Sequence, residues 1–225
     1  MTEPGQATLG DPAAIARLEA AVGRIAELTR GRAATGGSHA DADDTVGTIG
    51  TDDAIGFDPF PLLRALHRSG VRVAVIGQVA GIMHGSVELT GDLDLLWDGD
   101  PVHAAALASA FAQVEGGPAV LQDNDGVPVA CEAASFLGTK VLFSTATASG
   151  DCCTAALPWG GAPVADYLAR SLRAVAEDGL EVHYLRIDDL AQMRRAVGRP
   201  KDHRRADELD RLAAAARHKT GATIE

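Results

Sequence analysis

The chain has 225 residues, 46% of them hydrophobic and 23% charged, and these proportions indicate a globular protein with one principal domain rather than a disordered chain. Its net charge of −11 argues against general nucleic-acid binding, because polyanions are repelled everywhere except at a local basic patch. The three cysteines suit neither a disulfide framework nor a zinc site. We expect no signal peptide and no membrane span, and therefore a cytoplasmic protein without a membrane partner.

The first part of the chain predicts a separate helix followed by a linker. Asp11 and Pro12 are typical of a helix start, and apolar residues recur at helical spacing from Ile15 to Leu28, which predicts an amphipathic helix within residues 1–30. Residues 31–56 are rich in Gly, Ala, Thr and Asp, which indicates a flexible acidic linker. We expect the helix to dock on the main domain, although pairing with a second copy or with another protein is also open.

The main domain is expected over residues 57–217, with a tail at 218–225, and its elements alternate between helix and strand. This order predicts an α/β or α+β fold with a helical C-terminal part. Helices are predicted over 58–67, 79–84, 102–114, 163–172, 188–197 and 201–217, and strands over 71–76, 93–97, 127–130, 140–145, 152–156 and 180–185, with a turn at Ser149 and Gly150.

Asp92 and Asp94 are the first candidates for a functional site. In a strand, their spacing directs both carboxylates to one face while Leu93 and Leu95 face the other way. Hard oxygen ligands on one side of a rigid strand suit Mg²⁺, which binds through one or two carboxylates and the phosphates of a substrate. Alternating aspartates on the solvent face of an edge strand would give the same pattern without any metal.

The segment around this pair, VAVIGQVAGIMHGSVELTGDLDLLW at residues 73–97, resembles the nucleotidyltransferase superfamily typified by DNA polymerase β. In that superfamily a strand ends at a glycine turn, a short helix follows, and an acidic pair comes next in an apolar strand. The resemblance implies a mixed sheet flanked by helices, Mg²⁺ at Asp92 and Asp94, and a nucleoside triphosphate as substrate. It also implies phosphate binding at Gly77 and Gln78, whereas Ser86 either contacts phosphate or belongs to a simple turn.

More narrowly, the chain resembles bacterial abortive-infection and toxin-type nucleotidyltransferases. Those proteins have a helix with Met-Lys-Arg before a Gly-Arg-x-Lys-Asp segment, and here Met193-Arg194-Arg195 precedes Gly198 to Asp202. The resemblance implies that Arg194 and Lys201 bind the nucleotide and that Asp202 lies at the active cleft. It also implies an RNA, protein or small-molecule acceptor and an antitoxin-like partner. Beyond Asp202, the basic residues are equally compatible with a solvated helix face.

The third carboxylate of the superfamily is where this chain departs from the pattern. Cys153 stands at the expected position, while Asp151, two residues earlier, can substitute and Glu132 is a more distant candidate. Such an acid would act as a general base toward the acceptor hydroxyl. Two hypotheses therefore stand: a Mg²⁺-dependent nucleotidyltransferase with Asp92, Asp94, Asp151 and Asp202 at its centre, or a degenerate, non-catalytic protein of the same fold that binds nucleotide or regulates a partner.

Overall fold

The computed structural model describes residues 8–37, 47–154 and 163–221 of the chain. Parts of several predicted segments lie outside the described residues: the start of the N-terminal segment, residues 38–46 of the linker, the end of the strand predicted over 152–156, and residues 222–225 of the tail. No helix in the described ranges has the length and apolarity needed to cross a bilayer.

Within the described residues, nine strands form one mixed sheet. They are β1 (Thr8–Leu9), β2 (Val73–Val75), β3 (Leu95–Trp97), β4 (Val120–Gln122), β5 (Pro128–Val129), β6 (Lys140–Ser144), β7 (Ser149–Cys153), β8 (Leu172–Val175) and β9 (Glu181–Tyr184). The order across the sheet is β1-β8-β9-β2-β3-β7-β6-β4-β5. β3 is therefore central, and it pairs antiparallel with β2 and parallel with β7.

The helices cover the sheet and end in a C-terminal helical pair. They are α1 (Ala14–Thr29), α2 (Phe60–Ser69), α3 (Gly77–Met83), α4 (Pro101–Ala112), α5 (Val164–Ala169), α6 (Ile187–Val197) and α7 (Pro200–Gly221), with short 3₁₀ turns at Gly47–Gly50, Asp52–Ala54 and Ala133–Leu137. Local signals explain several boundaries: Asp100 Oδ1 accepts from the Val102 N–H at 2.9 Å, and Gly70 ends α2 in the left-handed conformation. The predicted mixture of helices and strands with a helical end is confirmed.

The core lies between the central strands and the surrounding helices. All residues of β2 and β3 are buried, and Trp97, Phe111 and Tyr184 are fully inaccessible to solvent. Continuous burial on both faces is typical of central strands covered by helices. The central strands therefore form a rigid base for any site at their ends.

Helix α1 docks on this domain through one apolar face. Ile15, Leu18 and Ile25 are buried, and Arg17 Nη1 donates to the carbonyl oxygen of Met83 at 2.9 Å. Residues 47–54, within the segment predicted as a linker, also pack on the core, with Thr48 and Ala54 buried. The N-terminal part of the chain therefore contributes to the domain rather than only preceding it.

The structure corrects one predicted turn and one predicted helix end, and it adds three short strands. Ser149 and Gly150 lie inside β7 rather than in a turn, and the reversal of the chain comes earlier, where the Thr145 N–H donates to the Ala148 carbonyl at 2.7 Å. A Cβ at Gly150 would overlap the carbonyl oxygen of Leu93, so this glycine permits close strand approach. The helix predicted over 163–172 ends at Ala169. The strands β1, β4 and β8 were not predicted, because such short segments depend on pairing with distant neighbours.

Candidate functional site

A cavity of about 370 Å³ lies where β3, β7 and α3 meet the C-terminal helical pair. Every site residue predicted from the sequence except Ser86 lines it: Gly77, Gln78, Asp92, Asp94, Asp151, Arg194, Lys201 and Asp202. Glu132, the distant candidate for a third acid, is exposed and precedes the 3₁₀ turn at Ala133–Leu137, outside this lining. Residues from distant parts of the chain thus converge on one pocket.

The parallel pairing of β3 with β7 brings the aspartates together. Leu95 is in register with Cys152, and Asp92 forms an isolated bridge with Ser149, so Asp94 lies opposite Asp151. The prediction that Asp92 and Asp94 lie inside a strand is wrong, because both precede β3. The backbone there still directs both side chains toward the cavity. Asp92, Asp94 and Asp151 therefore face the same cavity.

Asp92 is fixed by hydroxyl groups from two other segments. Thr48 Oγ1 donates to Asp92 Oδ1 at 2.8 Å, and Thr90 Oγ1 donates to the same oxygen. Thr48 Oγ1 in turn accepts from the Gly91 N–H at 2.9 Å. Asp92 is only 7% exposed, so these bonds compensate for part of the loss of water around a buried carboxylate. The orientation of Asp92 is thereby set before any ligand binds.

Gly77 is placed directly against Asp94. Its φ of +60° is left-handed, and a Cβ at this position would overlap the Asp94 carboxylate. The Ile76 N–H donates to the Asp94 carbonyl oxygen at 2.9 Å, which holds the two segments at this distance. Only glycine therefore allows both the backbone conformation and the close approach.

Gln78 connects the start of α3 to the C-terminal helices. Its Nε2 donates to Ser86 Oγ and to the Glu88 carbonyl oxygen, both at 2.9 Å, and its Oε1 accepts from Arg194 Nη2 at 2.9 Å. Ser86 Oγ also donates to Glu208 Oε2 at 3.0 Å. Ser86 therefore lies behind Gln78, where it orients the amide.

Arg194 and Asp202 form a buried ion pair in the lining of the cavity. Arg194 is 6% exposed and Asp202 is 2% exposed, with Nη1 and Oδ1 3.7 Å apart, and Arg199 Nε donates to Asp202 Oδ2 at 2.6 Å. Burial and the nearby Arg205 lower the pKa of Arg194 to about 10, so the guanidinium keeps its charge at neutral pH. Among the described residues, its buried Nε has no hydrogen-bond partner.

Lys140 and Cys153 also line the cavity. Lys140 Nζ donates to Asp151 Oδ2 at 3.2 Å, and Cys153 is 4% exposed. Burial, followed by the charges of Asp151 and Asp94, raises the pKa of the Cys153 thiol, which favours the protonated thiol over the nucleophilic thiolate. Sequence reasoning missed Lys140 and Thr48, since a single lysine at a strand start and a threonine in a glycine-rich segment carry no local signal.

The donor set fits Mg²⁺ bound together with phosphates. Asp92 and Asp94 offer hard oxygen ligands, which Mg²⁺ prefers, and Arg194 and Lys201 add positive charge to the same cavity. Over the described ranges, no three His, Cys, Asp or Glu side chains are grouped closely enough to hold a metal ion themselves. Phosphate oxygens would complete the coordination in this arrangement.

Comparison with known proteins gives no family assignment. Neither a scan against protein-family models nor a search of the curated proteins gave a match for this chain.

Proposed function

We propose that this protein is a Mg²⁺-dependent nucleotidyltransferase that moves a nucleoside monophosphate from a nucleoside triphosphate to a hydroxyl acceptor. The observation that carries this proposal is the cavity itself: Asp92 and Asp94 share it with the buried guanidinium of Arg194 and with Lys201. Carboxylates and cationic side chains in one cavity suit a metal-bound triphosphate. The aspartates would hold the cation, and Arg194 and Lys201 would bind the phosphates.

The topology supports the same proposal. A strand, a glycine turn and a short helix are followed by an acidic pair that leads into a second strand antiparallel to the first. The third acid candidate, Asp151, comes from β7, which is parallel to β3. This is the order of elements expected for a nucleotidyltransferase of the polymerase β type, and the fold assignment is part of the proposal.

The reaction would be an in-line displacement at the α-phosphorus. The acceptor oxygen bonds to phosphorus, the bond from phosphorus to the β-phosphate bridging oxygen breaks, and pyrophosphate leaves. The hydroxyl proton would pass to Asp151, which lies opposite Asp94. Bound Mg²⁺ would stabilise the negative charge that develops on the phosphoryl oxygens. Arg194 and Lys201 would neutralise the departing pyrophosphate.

A second candidate function is nucleotide binding without transfer. It is favoured by the Lys140 contact with Asp151 and by the protonated thiol of Cys153 at the expected place of the third acid. In that case the protein would keep Mg²⁺-nucleotide affinity, and its RNA, protein or antitoxin-like partner would be a binding partner rather than a substrate.

Titration calorimetry and label transfer together test the two candidates. The protein is incubated with Mg²⁺ and each of the four nucleoside triphosphates labelled at the α-phosphate, alone and with bulk RNA or cell protein as acceptor. We expect binding of at least one nucleotide, transfer of label, and a loss of both in Asp94→Asn. Asp188→Asn, on the exposed surface of α6, is the matched control. Binding without transfer would support the second candidate, and an Asp94→Asn variant that behaves like wild type would reject both.

A further inference from the structure

Lys140 lies on the cavity side of the β6–β7 pair, in register with Cys153. Its Nζ is 3.2 Å from Asp151 Oδ2, and the two side chains are 27% and 17% exposed. This pair is therefore shielded from bulk water more than a typical surface ion pair, and the attraction is correspondingly stronger. Lys140 gives the carboxylate wall of the cavity a fixed positive charge.

Cys153 is paired with Lys140 on one side and, on the other, with Leu96, two residues after Asp94. Asp151 and Asp94 both raise the pKa of the thiol after burial has done so, whereas Lys140 lowers it. The two carboxylates and the ammonium therefore all act electrostatically on the same buried thiol. A protonated thiol adds no negative charge at the place where the superfamily pattern has a third acid.

Hydrogen bonds already occupy some of the acceptor positions on the carboxylates of this cavity. Asp92 Oδ1 already accepts from Thr48 and Thr90, and Asp151 Oδ2 accepts from Lys140. Each carboxylate has about four acceptor positions. Two divalent cations about 3.5 to 4 Å apart need several bridging anionic ligands to offset their mutual repulsion, and here one of the three aspartates already has an ammonium as its ion-pair partner.

We propose that the Lys140 ammonium takes the place of a second divalent cation, so that this site binds one Mg²⁺ with its nucleotide. The inference rests on the proposed function. Asp92 and Asp94 hold the single cation, and Lys140 supplies the positive charge next to Asp151. The ammonium therefore lies beside the carboxylate that would accept the proton of the acceptor hydroxyl.

The stoichiometry of Mn²⁺ tests this inference without any turnover. Electron paramagnetic resonance counts the Mn²⁺ ions bound per chain in the presence of a saturating α,β-methylene nucleoside triphosphate, which cannot be cleaved at the α-phosphorus. We expect one Mn²⁺ in the wild type and in Lys140→Arg, which keeps the charge, and two in Lys140→Met. Lys140→Gln, which keeps a polar head group, is a second neutral variant for the case that Lys140→Met does not fold.

The outcomes separate this inference from the proposed function. Two Mn²⁺ in the wild type would overturn the single-cation site while leaving nucleotidyl transfer intact. One Mn²⁺ in folded Lys140→Met or Lys140→Gln would also overturn it, because the ammonium would then not be what excludes the second ion. If the wild type binds no Mn²⁺ with any of the four analogues, the proposed function fails and the inference fails with it.

Discussion

The hydroxyl of Thr48 donates to Asp92 Oδ1 at 2.8 Å, and this bond ties a short 3₁₀ turn near the N-terminus to the carboxylate face of the central sheet. Thr48 is 6% exposed, and its oxygen also accepts from the Gly91 N–H. The same hydroxyl therefore orients the side chain of Asp92 and the backbone just before it. Groups that orient a metal ligand in this way affect metal affinity although they do not touch the metal.

Thr48→Val removes this hydroxyl at nearly constant volume. We expect the free energy of unfolding to fall by about 1 to 3 kcal/mol, since Asp92 and the Gly91 N–H lose a partner, and the affinity for Mg²⁺-nucleotide to fall about 10-fold or more. Urea unfolding and titration calorimetry measure the two effects. Thr29→Val is the matched control, because Thr29 is also buried and donates to the Ile25 carbonyl at 2.9 Å within α1. Equal losses of nucleotide affinity in both variants would show that Thr48 acts through stability alone.

Gly77→Ala tests the contact with Asp94. Both the left-handed φ of +60° and the overlap of a Cβ with the Asp94 carboxylate oppose this change. We expect the free energy of unfolding to fall by about 1 to 2 kcal/mol because of the backbone conformation, and by about 1 to 3 kcal/mol more because of the overlap. Displacement of Asp94 should also abolish measurable binding of Mg²⁺-nucleotide.

Gly70→Ala separates these two effects. Gly70 has a φ of +70°, but a Cβ there meets no atom within 4 Å, so this variant carries the conformational cost alone. Thermal or urea unfolding should show the smaller loss, and nucleotide binding should be unchanged. The importance of the Asp94 contact would be refuted by a Gly77→Ala variant that unfolds like Gly70→Ala and binds nucleotide normally.

The sequence predicted the parts of this cavity that have local patterns. Gly77, Asp92 and Asp94 lie within one short segment with the apolar alternation of strands, and Arg194 and Asp202 flank a helix break at Gly198, whose φ is +78°. Thr48 and Lys140 reach the same cavity only through packing and strand pairing between distant segments. Gly150 was misinterpreted because a glycine that permits close strand approach and a glycine in a turn look alike in a sequence.

Stability should depend on pH through His84. Burial lowers the pKa of its imidazole below the usual 6.5, and Nε2 donates to the Leu185 carbonyl at 2.7 Å. The unfolded chain binds this proton more readily, so the stabilisation is present above about pH 6.5 and is lost as the pH falls toward the lowered pKa. This one histidine can change the free energy of unfolding by at most about 1.4 kcal/mol per pH unit.

Urea unfolding between pH 7.5 and pH 5 measures this dependence. His84→Gln keeps a donor for the Leu185 carbonyl but cannot titrate, so its free energy of unfolding should fall less steeply with pH than that of the wild type. Part of the slope should remain, because burial also lowers the pKa of His183. An unchanged slope in His84→Gln would contradict the assignment.

Cys153→Asp places an acid at the position where the superfamily pattern has one. The site is 4% exposed and is next to Asp151 and Asp94, so without a divalent cation the added charge has to be buried beside two like charges. We expect the free energy of unfolding in EDTA to fall by about 3 to 5 kcal/mol. Excess Mg²⁺ should restore part of this loss, because a ligand that binds only the folded state stabilises it.

Cys153→Ser is the control that separates the effect of the added charge on the free energy of unfolding from the effect of losing the thiol. The serine side chain is small and neutral, so its effect on the free energy of unfolding should be about 1 kcal/mol and should be the same in EDTA and in Mg²⁺. A loss in Cys153→Asp that is equally large under both conditions would mean that no cation reaches this end of the cavity. A loss that Mg²⁺ reverses would show that the acid-lined face of β3 and β7 binds the cation. It would also show that cation binding by this face depends on how many of its carboxylates remain charged.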